Sequence, residues 1–104
     1  MGNNDKRIAA AARMLGYLFL HMDKGWQGVA VSGARTRIGS NADLYDALLG
    51  ALAARYPGGW SLRQYAGGQV GVRVQNPVWW SDEFYADTKL DAVLKLVEAV
   101  FDKS

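Results

Sequence analysis

The sequence predicts an α+β fold, a two-layer sandwich of three helices on a small antiparallel β-sheet. Three segments repeat their apolar residues every three or four positions, which is the spacing of one helix face. Between the second and third segments, two stretches of alternating polar and apolar residues flank Gly67-Gly68, a pattern typical of a β-hairpin. We therefore expect helices packed on an antiparallel sheet.

Length and composition predict a single domain over residues 1–104. A chain of 104 residues, half of them hydrophobic, is long enough to bury a core of its own, and no repeat or linker divides it. It has no cysteine, which excludes disulfides and thiolate zinc sites and fits a reducing cytoplasm.

The first predicted helix covers residues 4–23 and ends at Gly25. We expect Leu15, Phe19 and Met22 to point inward against the second or third helix. The apolar run of fifteen residues is interrupted by Arg13 and is too short to span a bilayer. No small-residue cleavage site follows it, so we do not expect a signal peptide.

Residues 25–39 contain four glycines and one short alternation, which predicts a strand over 27–32 with Val29 and Val31 inward. Arg35 and Arg37 then belong either to a second edge strand or to a loop. The second helix is predicted over 42–56, begun by Ser40 or Asn41 and ended by Pro57-Gly58-Gly59.

The hairpin that follows has a register that can be argued from its side chains. A two-residue loop would pair Arg63 with Val72, which mixes polar and apolar residues on one face. A three-residue loop over 66–68 places Leu62 opposite Val72 and Trp60 opposite Val74, and Gly68 then takes a left-handed conformation. The last helix is predicted over 88–102, capped by Asp87 or Thr88.

The stretch from LYDALLGALAARYPGGW through the hairpin to FYADTKLDAVLKLVEAVF resembles the small phage-encoded helix, hairpin, helix proteins of the phage ABA sandwich family. The resemblance covers residues 42–103. It implies a phage or prophage origin, and hence the cytoplasm of a host cell. The family has no assigned catalytic residue, so the resemblance implies no site.

The ionisable residues do not form a catalytic or metal-binding set. His21 is the only histidine, and with no cysteine this excludes nucleophilic triads and His or Cys zinc sites within one chain. Asp82, Glu83 and Asp87 are either ligands of an oxygen-only Mg²⁺ site or solvated acids that cap a helix, and we favour the second interpretation. We expect a non-enzyme without a cofactor or a bound metal.

The segment NPVWWSDEFY, residues 76–85, combines four aromatic rings with two acids. Adjacent residues of a strand point to opposite sides. We therefore expect one tryptophan and Phe84 in the core, and the other tryptophan exposed with Tyr85. The predicted partner-binding residues are Trp79, Trp80, Asp82, Glu83 and Tyr85. The alternative is that these rings only fill a thin core.

Positive charge lies mainly in the first three quarters of the chain. Residues 1–75 carry nine Lys or Arg and four Asp or Glu, whereas residues 76–104 carry three and six. A nucleic-acid surface on one sheet face is one interpretation, and a solvated outer face is the other. The residues predicted for it are Arg35, Arg37, Arg63 and Arg73.

Three functions follow from these observations. The first is a non-enzymatic protein-binding protein of phage or mobile-element origin that inhibits a host defence complex, as anti-CRISPR proteins do; its partner is a host protein or ribonucleoprotein complex. The second is an accessory protein that binds nucleic acid through the basic sheet face. The third is a structural phage protein that pairs with a second copy of itself. We favour the first, with neither a membrane nor nucleic acid as a direct partner.

Overall fold

The structure, a computed structural model, describes the backbone of residues 3–76 and 79–102 and the side chains of residues 6–75 and 80–100. Three helices and seven strands follow one another along the chain. They are α1 (Asn3–Met14), β1 (Phe19–Met22), β2 (Trp26–Val29), β3 (Arg35–Gly39), α2 (Asn41–Arg55), β4 (Trp60–Gln64), β5 (Val70–Asn76), β6 (Trp79–Trp80), β7 (Phe84–Ala86) and α3 (Lys89–Asp102).

The strands form two antiparallel sheets, where the sequence predicted one. Sheet one has the order β1-β2-β3. Sheet two is built on β5, which pairs with β4 along one edge and with both β6 and β7 along the other. The α+β class is confirmed, and α3 packs against β5 and β7 of sheet two.

One hydrophobic cluster draws on all three helices and both sheets. Helix α1 packs chiefly against α3, while α2 contacts α3 and β3. An ion pair between Arg7 and Glu98, with an N to O distance of 3.2 Å, joins α1 to α3 at the margin of this cluster. The largest fully buried side chains are Leu44, Leu48, Leu52, Val72, Val74, Val93, Leu96 and Val97. Within the described residues no helix has the length and hydropathy to cross a membrane.

The predicted extent of the first helix is wrong, because α1 ends at Met14 and residues 19–22 form a strand. Gly16 has a φ of +86°, a conformation that glycine adopts without strain. Its N–H donates to the carbonyl of Arg13, and the N–H of Tyr17 donates to that of Ala12, the two bonds of a Schellman C-cap. The expected inward positions of Phe19 and Met22 are wrong too, since both are about half exposed, whereas Leu15 packs against the core.

Residues 26–39 form the β2–β3 hairpin of sheet one. Val29 is 7% exposed, whereas Val31 lies in the turn after β2 and is 84% exposed, so the predicted inward position of Val31 is wrong. Of the two predictions for Arg35 and Arg37, the edge strand is the one observed, as β3. The indole N–H of Trp26 in β2 donates to the side-chain oxygen of Asn41 at 2.6 Å, which fixes sheet one to the start of α2.

Helix α2 begins with a capping box at Ser40. The Ser40 hydroxyl accepts from the backbone N–H of Asp43, and the backbone N–H of Ser40 donates to the Asp43 carboxylate at 2.8 Å. This backbone bond, followed by the bond from the Ser40 hydroxyl, lowers the pKa of Asp43. The stabilisation is therefore present above the pKa of the unfolded carboxyl and is lost as pH falls through the lower folded value.

The hairpin and the last helix form as predicted. Leu62 pairs with Val72 and Trp60 with Val74, and both Gly67 and Gly68 have positive φ. The hydroxyl of Thr88 accepts from the backbone N–H of Asp91 at 3.1 Å, so Thr88 rather than Asp87 caps α3.

Replacing Gly28 by alanine should destabilise the fold. A Cβ at this position would lie 2.7–2.8 Å from three ring carbons of Tyr17, and the ring packs against the core. Such overpacking costs roughly 1–3 kcal/mol of unfolding free energy, measurable by urea denaturation. Gly50 is the matched control because it lies inside α2 with open space around it. Gly50→Ala should stabilise by about 0.5–1 kcal/mol. A neutral Gly28→Ala would contradict the packing of Tyr17.

Candidate binding surface

The outer side of sheet two faces away from the helices and carries large polar and aromatic side chains. The inner side holds Leu62, Val72 and Phe84, which pair across three strands and pack into the core. Because side chains alternate along a strand, the neighbouring positions point outward. We call this surface the Trp80 face; it comprises Arg63, Tyr65, Arg73, Trp80, Glu83 and Tyr85.

Trp80 and Arg73 form one half of the face. Trp80 pairs with Gln75, two residues beyond Arg73 on β5, so the two side chains lie diagonally across adjacent strands. The guanidinium carbon of Arg73 is 4.3 Å from the centre of the Trp80 ring, a cation–π contact worth about 0.5–1 kcal/mol at an exposed site. Trp80 nevertheless remains 41% exposed.

Tyr65 and Tyr85 form the other half. Their ring centres are 5.7 Å apart, and Tyr85 is 42% exposed. The Tyr65 hydroxyl donates a hydrogen bond to the carboxylate of Glu83. Both partners lie over Gly71, where a Cβ would collide with the Glu83 carboxylate and come within 3.0 Å of the Tyr65 ring. Gly71, the second residue of β5, thus makes room for this polar pair.

Hydrogen bonds hold the backbone beside each of the two exposed rings, Tyr85 on β7 and Trp80 on β6. Lys95 of α3 donates its ammonium to the backbone carbonyl of Tyr85. Next to β6, Ser81 makes two bonds with Val74: its N–H donates to the Val74 carbonyl at 2.8 Å, and its hydroxyl accepts from the Val74 N–H at 3.0 Å. The aromatic rings therefore project from a fixed backbone.

We expect Glu83→Gln to lower the pKa of Tyr65. The hydrogen bond to the Glu83 carboxylate is the largest cause of the raised pKa of this phenol, and burial is the next. A hydrogen bond with Arg63 acts in the opposite direction and lowers the pKa. The bond requires the protonated phenol, so its stabilisation is present below the ordinary tyrosine pKa and is lost as pH rises through the higher folded value. NMR titration of the tyrosine ring carbons measures the shift, with Tyr65→Phe to assign the signal. An unchanged Tyr65 titration in Glu83→Gln would contradict the bond.

Most of the predicted partner-binding residues lie together. Trp80, Glu83 and Tyr85 belong to the Trp80 face, and Asp82 is exposed beside them. The side chain of Trp79 lies outside the described residues. The prediction missed Tyr65, although the hairpin register already placed it on the same side as Arg63.

The four arginines predicted to line one sheet face are divided between two sheets. Arg35 and Arg37 lie on β3 of sheet one, whereas Arg63 and Arg73 lie on β4 and β5 of sheet two. As predicted, Arg63 and Arg73 point away from the valines of β5. Among the described residues no three His, Cys, Asp or Glu side chains lie close enough together to hold a metal ion, and Asp82, Glu83 and Asp87 form no such group.

No family model, curated protein or solved structure matches this chain. The resemblance to the phage ABA sandwich family therefore stays a prediction. What the chain can do has to be argued from its own surfaces.

Proposed function

We propose that this chain is a non-enzymatic protein-binding module whose interface is the Trp80 face. The observation that carries the proposal is the exposure of Trp80 and Tyr85 on a sheet face that the helices leave uncovered. Tryptophan, tyrosine and arginine are the residues enriched at interface hot spots. This face presents all three types, with Arg73 against Trp80 and Tyr65 against Tyr85.

The side chains of the face are ordered before a partner arrives. Arg73 is stacked on Trp80, and Tyr65 is tied to Glu83. Ordering a rotamer-rich side chain on binding costs roughly 0.5–1.5 kcal/mol, so rings already held in place lose less entropy in a complex. Preorganisation of this kind favours a protein interface over a merely solvated sheet surface.

The charge on the face also favours a protein partner. Arg63 and Arg73 are accompanied by Glu83 and by the exposed Asp82, so the surface carries both signs. A phosphate backbone requires a dense positive surface, whereas protein interfaces pair complementary charges of both signs. The exposed Asp82 at the rim should act mainly on the association rate.

The most specific version of the proposal is an inhibitor, of phage or mobile-element origin, that occupies a host defence protein or ribonucleoprotein complex. Its support is the sequence resemblance of residues 42–103 to phage proteins. An aromatic and acidic surface is suited to cover a site on such a partner.

The test is affinity capture from a bacterial host lysate with the unmodified chain, Trp80→Ala and Val31→Ala in parallel. Val31 is the control because it is a highly exposed apolar side chain outside sheet two. We expect a stoichiometric protein to be retained by the unmodified chain and by Val31→Ala and to be lost with Trp80→Ala. Equal retention by all three would exclude the Trp80 face as the interface.

A further inference from the structure

Sheet one, like sheet two, has an uncovered face on the side opposite the core. Leu20 and Gly28 face inward: Leu20 belongs to the core cluster, and Gly28 lies under the ring of Tyr17. Their strand neighbours therefore point outward. We call this surface the Arg35 face; it comprises Phe19, His21, Gln27, Arg35 and Arg37.

The burial of Val29 supports this orientation. Val29 is only 7% exposed, yet it is not a member of the core cluster. It pairs with Phe19 on one side and with Arg35 on the other, so it lies in the middle strand of this outer face. Phe19 and Arg35 are thus the cross-strand neighbours of Val29 on this face.

The strand registers arrange the face as two parallel columns. Phe19, Val29 and Arg35 form one row across the three strands, and His21, Gln27 and Arg37 form the next. Phe19 and His21 are thus an aromatic column on β1, with ring centres 5.9 Å apart. Arg35 and Arg37 are an arginine column on β3, about 6.6 Å apart along the strand and roughly 9–10 Å from the aromatic column.

The aromatic column is suited to bind bases, and the arginine column is suited to bind phosphates. Aromatic rings accept stacked bases without regard to sequence, and guanidinium groups make paired hydrogen bonds to phosphate oxygens. Phe19 and Arg35 lie in one row and His21 and Arg37 in the next. Each row therefore offers one ring and one arginine to one nucleotide, and two rows serve two successive nucleotides. The ribose connects each base to its phosphate, so it would lie over the middle strand.

Gln27 occupies that middle position, between His21 and Arg37. Its amide both donates and accepts hydrogen bonds, as does a ribose 2′-hydroxyl. The charge is complementary as well. Residues 19–39 carry three fixed positive charges, on Lys24, Arg35 and Arg37, against the single acid Asp23.

We propose that the Arg35 face binds single-stranded RNA, with two bases stacked on Phe19 and His21 and their phosphates paired with Arg35 and Arg37. This face shares no residue with the Trp80 face. RNA binding and protein binding can therefore be tested independently of each other.

The test measures fluorescence anisotropy of a labelled oligouridine of about ten nucleotides with the full chain. Two neutralised phosphates predict a slope of about −1.4 in a plot of log affinity against log salt concentration. In the double variant Arg35→Gln, Arg37→Gln the slope should fall to near zero. Arg63→Gln is the matched control, since it removes one exposed strand arginine from the other sheet and should leave the slope unchanged.

Two further variants test the stacking and the sugar contact. Phe19→Ala should weaken oligouridine binding roughly 5- to 150-fold, the equivalent of about 1–3 kcal/mol for a stacked base. Oligodeoxyuridine, which differs from oligouridine only in lacking the 2′-hydroxyl, should bind more weakly than oligouridine, and Gln27→Ala should reduce that difference. Phe19 and the two arginines are exposed, so these variants should keep the melting temperature of the unmodified chain.

The proposal is overturned if Arg63→Gln lowers the affinity as much per charge removed as the double variant does, which would indicate non-specific attraction by net charge. Equal affinity for oligouridine and oligodeoxyuridine would overturn the assignment to RNA. A Trp80→Ala variant should bind oligouridine normally, so loss of the protein partner in that variant leaves the RNA proposal intact.

Discussion

Ala11→Asp should remove a large fraction of the stability of the domain. Ala10, Ala11 and Ala12 are fully buried where α1 packs against the rest of the core. An aspartate at position 11 would bring an unpaired carboxylate into this contact, and an uncompensated buried charge costs roughly 3–5 kcal/mol. A domain of this size has a total stability of about 5–15 kcal/mol, so the loss is a large fraction of it. Urea denaturation followed by circular dichroism measures the change.

Ala9→Asp is the matched control for that substitution. Ala9 lies in the same helix but is exposed. The same change there costs only the lower helix propensity of aspartate, about 0.5–0.7 kcal/mol. If Ala11→Asp and Ala9→Asp unfold at the same urea concentration, α1 is an appendage and not a part of the core.

Trp80→Ala should weaken binding to the captured partner by about 2 kcal/mol or more, which corresponds to roughly a 30-fold rise in Kd. A ring that is 41% exposed in the free chain has much of its surface left for a partner to bury. The fold itself should lose only the contact with Arg73, about 0.5–1 kcal/mol. Calorimetric titration gives the affinity, and thermal unfolding gives the stability.

Val31→Ala and Arg73→Gln complete the comparison. Val31 lies outside sheet two, so its truncation should leave the affinity unchanged. Arg73→Gln removes the cation that stacks on Trp80 and should weaken binding while leaving the ring in place. Should Trp80→Ala lower the melting temperature as strongly as a core substitution and leave the affinity unchanged, the ring stabilises the fold and the interface lies elsewhere.

The part of the candidate surface that the sequence could predict follows from local geometry. Alternation along the chain placed Arg63 and Arg73 on the outer side of the hairpin. Two adjacent tryptophans in an extended segment point to opposite sides, so one ring was expected to leave the core. Which side chains meet was not predictable. Arg73 contacts Trp80 only because β6 pairs with the far end of β5, and Tyr65 reaches Glu83 only because β7 pairs with the same strand further back.

The Arg35 face likewise combines residues whose positions the sequence could predict with residues whose positions depended on strand pairing. Arg35 and Arg37 were recognisable as neighbours on one side of a strand. Phe19 and His21 were assigned to a helix, so no argument from the sequence could bring them beside the arginines. The pairing of β1 with β2 creates the aromatic column, and that pairing joins residues on either side of a turn that the sequence prediction did not contain.

The sequence by itself determined the second and third helices, their start signals and the register of the β4–β5 hairpin. In each case a side-chain period, a cap residue or a turn glycine acts within a few positions along the chain, so its effect does not depend on the rest of the fold. Only the tertiary structure decided that α1 ends at Met14 and that residues 19–22 form a strand. An apolar stripe with spacings of three and four continues through this segment, but hydrogen bonds to β2 and burial of Leu20 favour the extended conformation. Contacts with distant residues thus outweigh local periodicity.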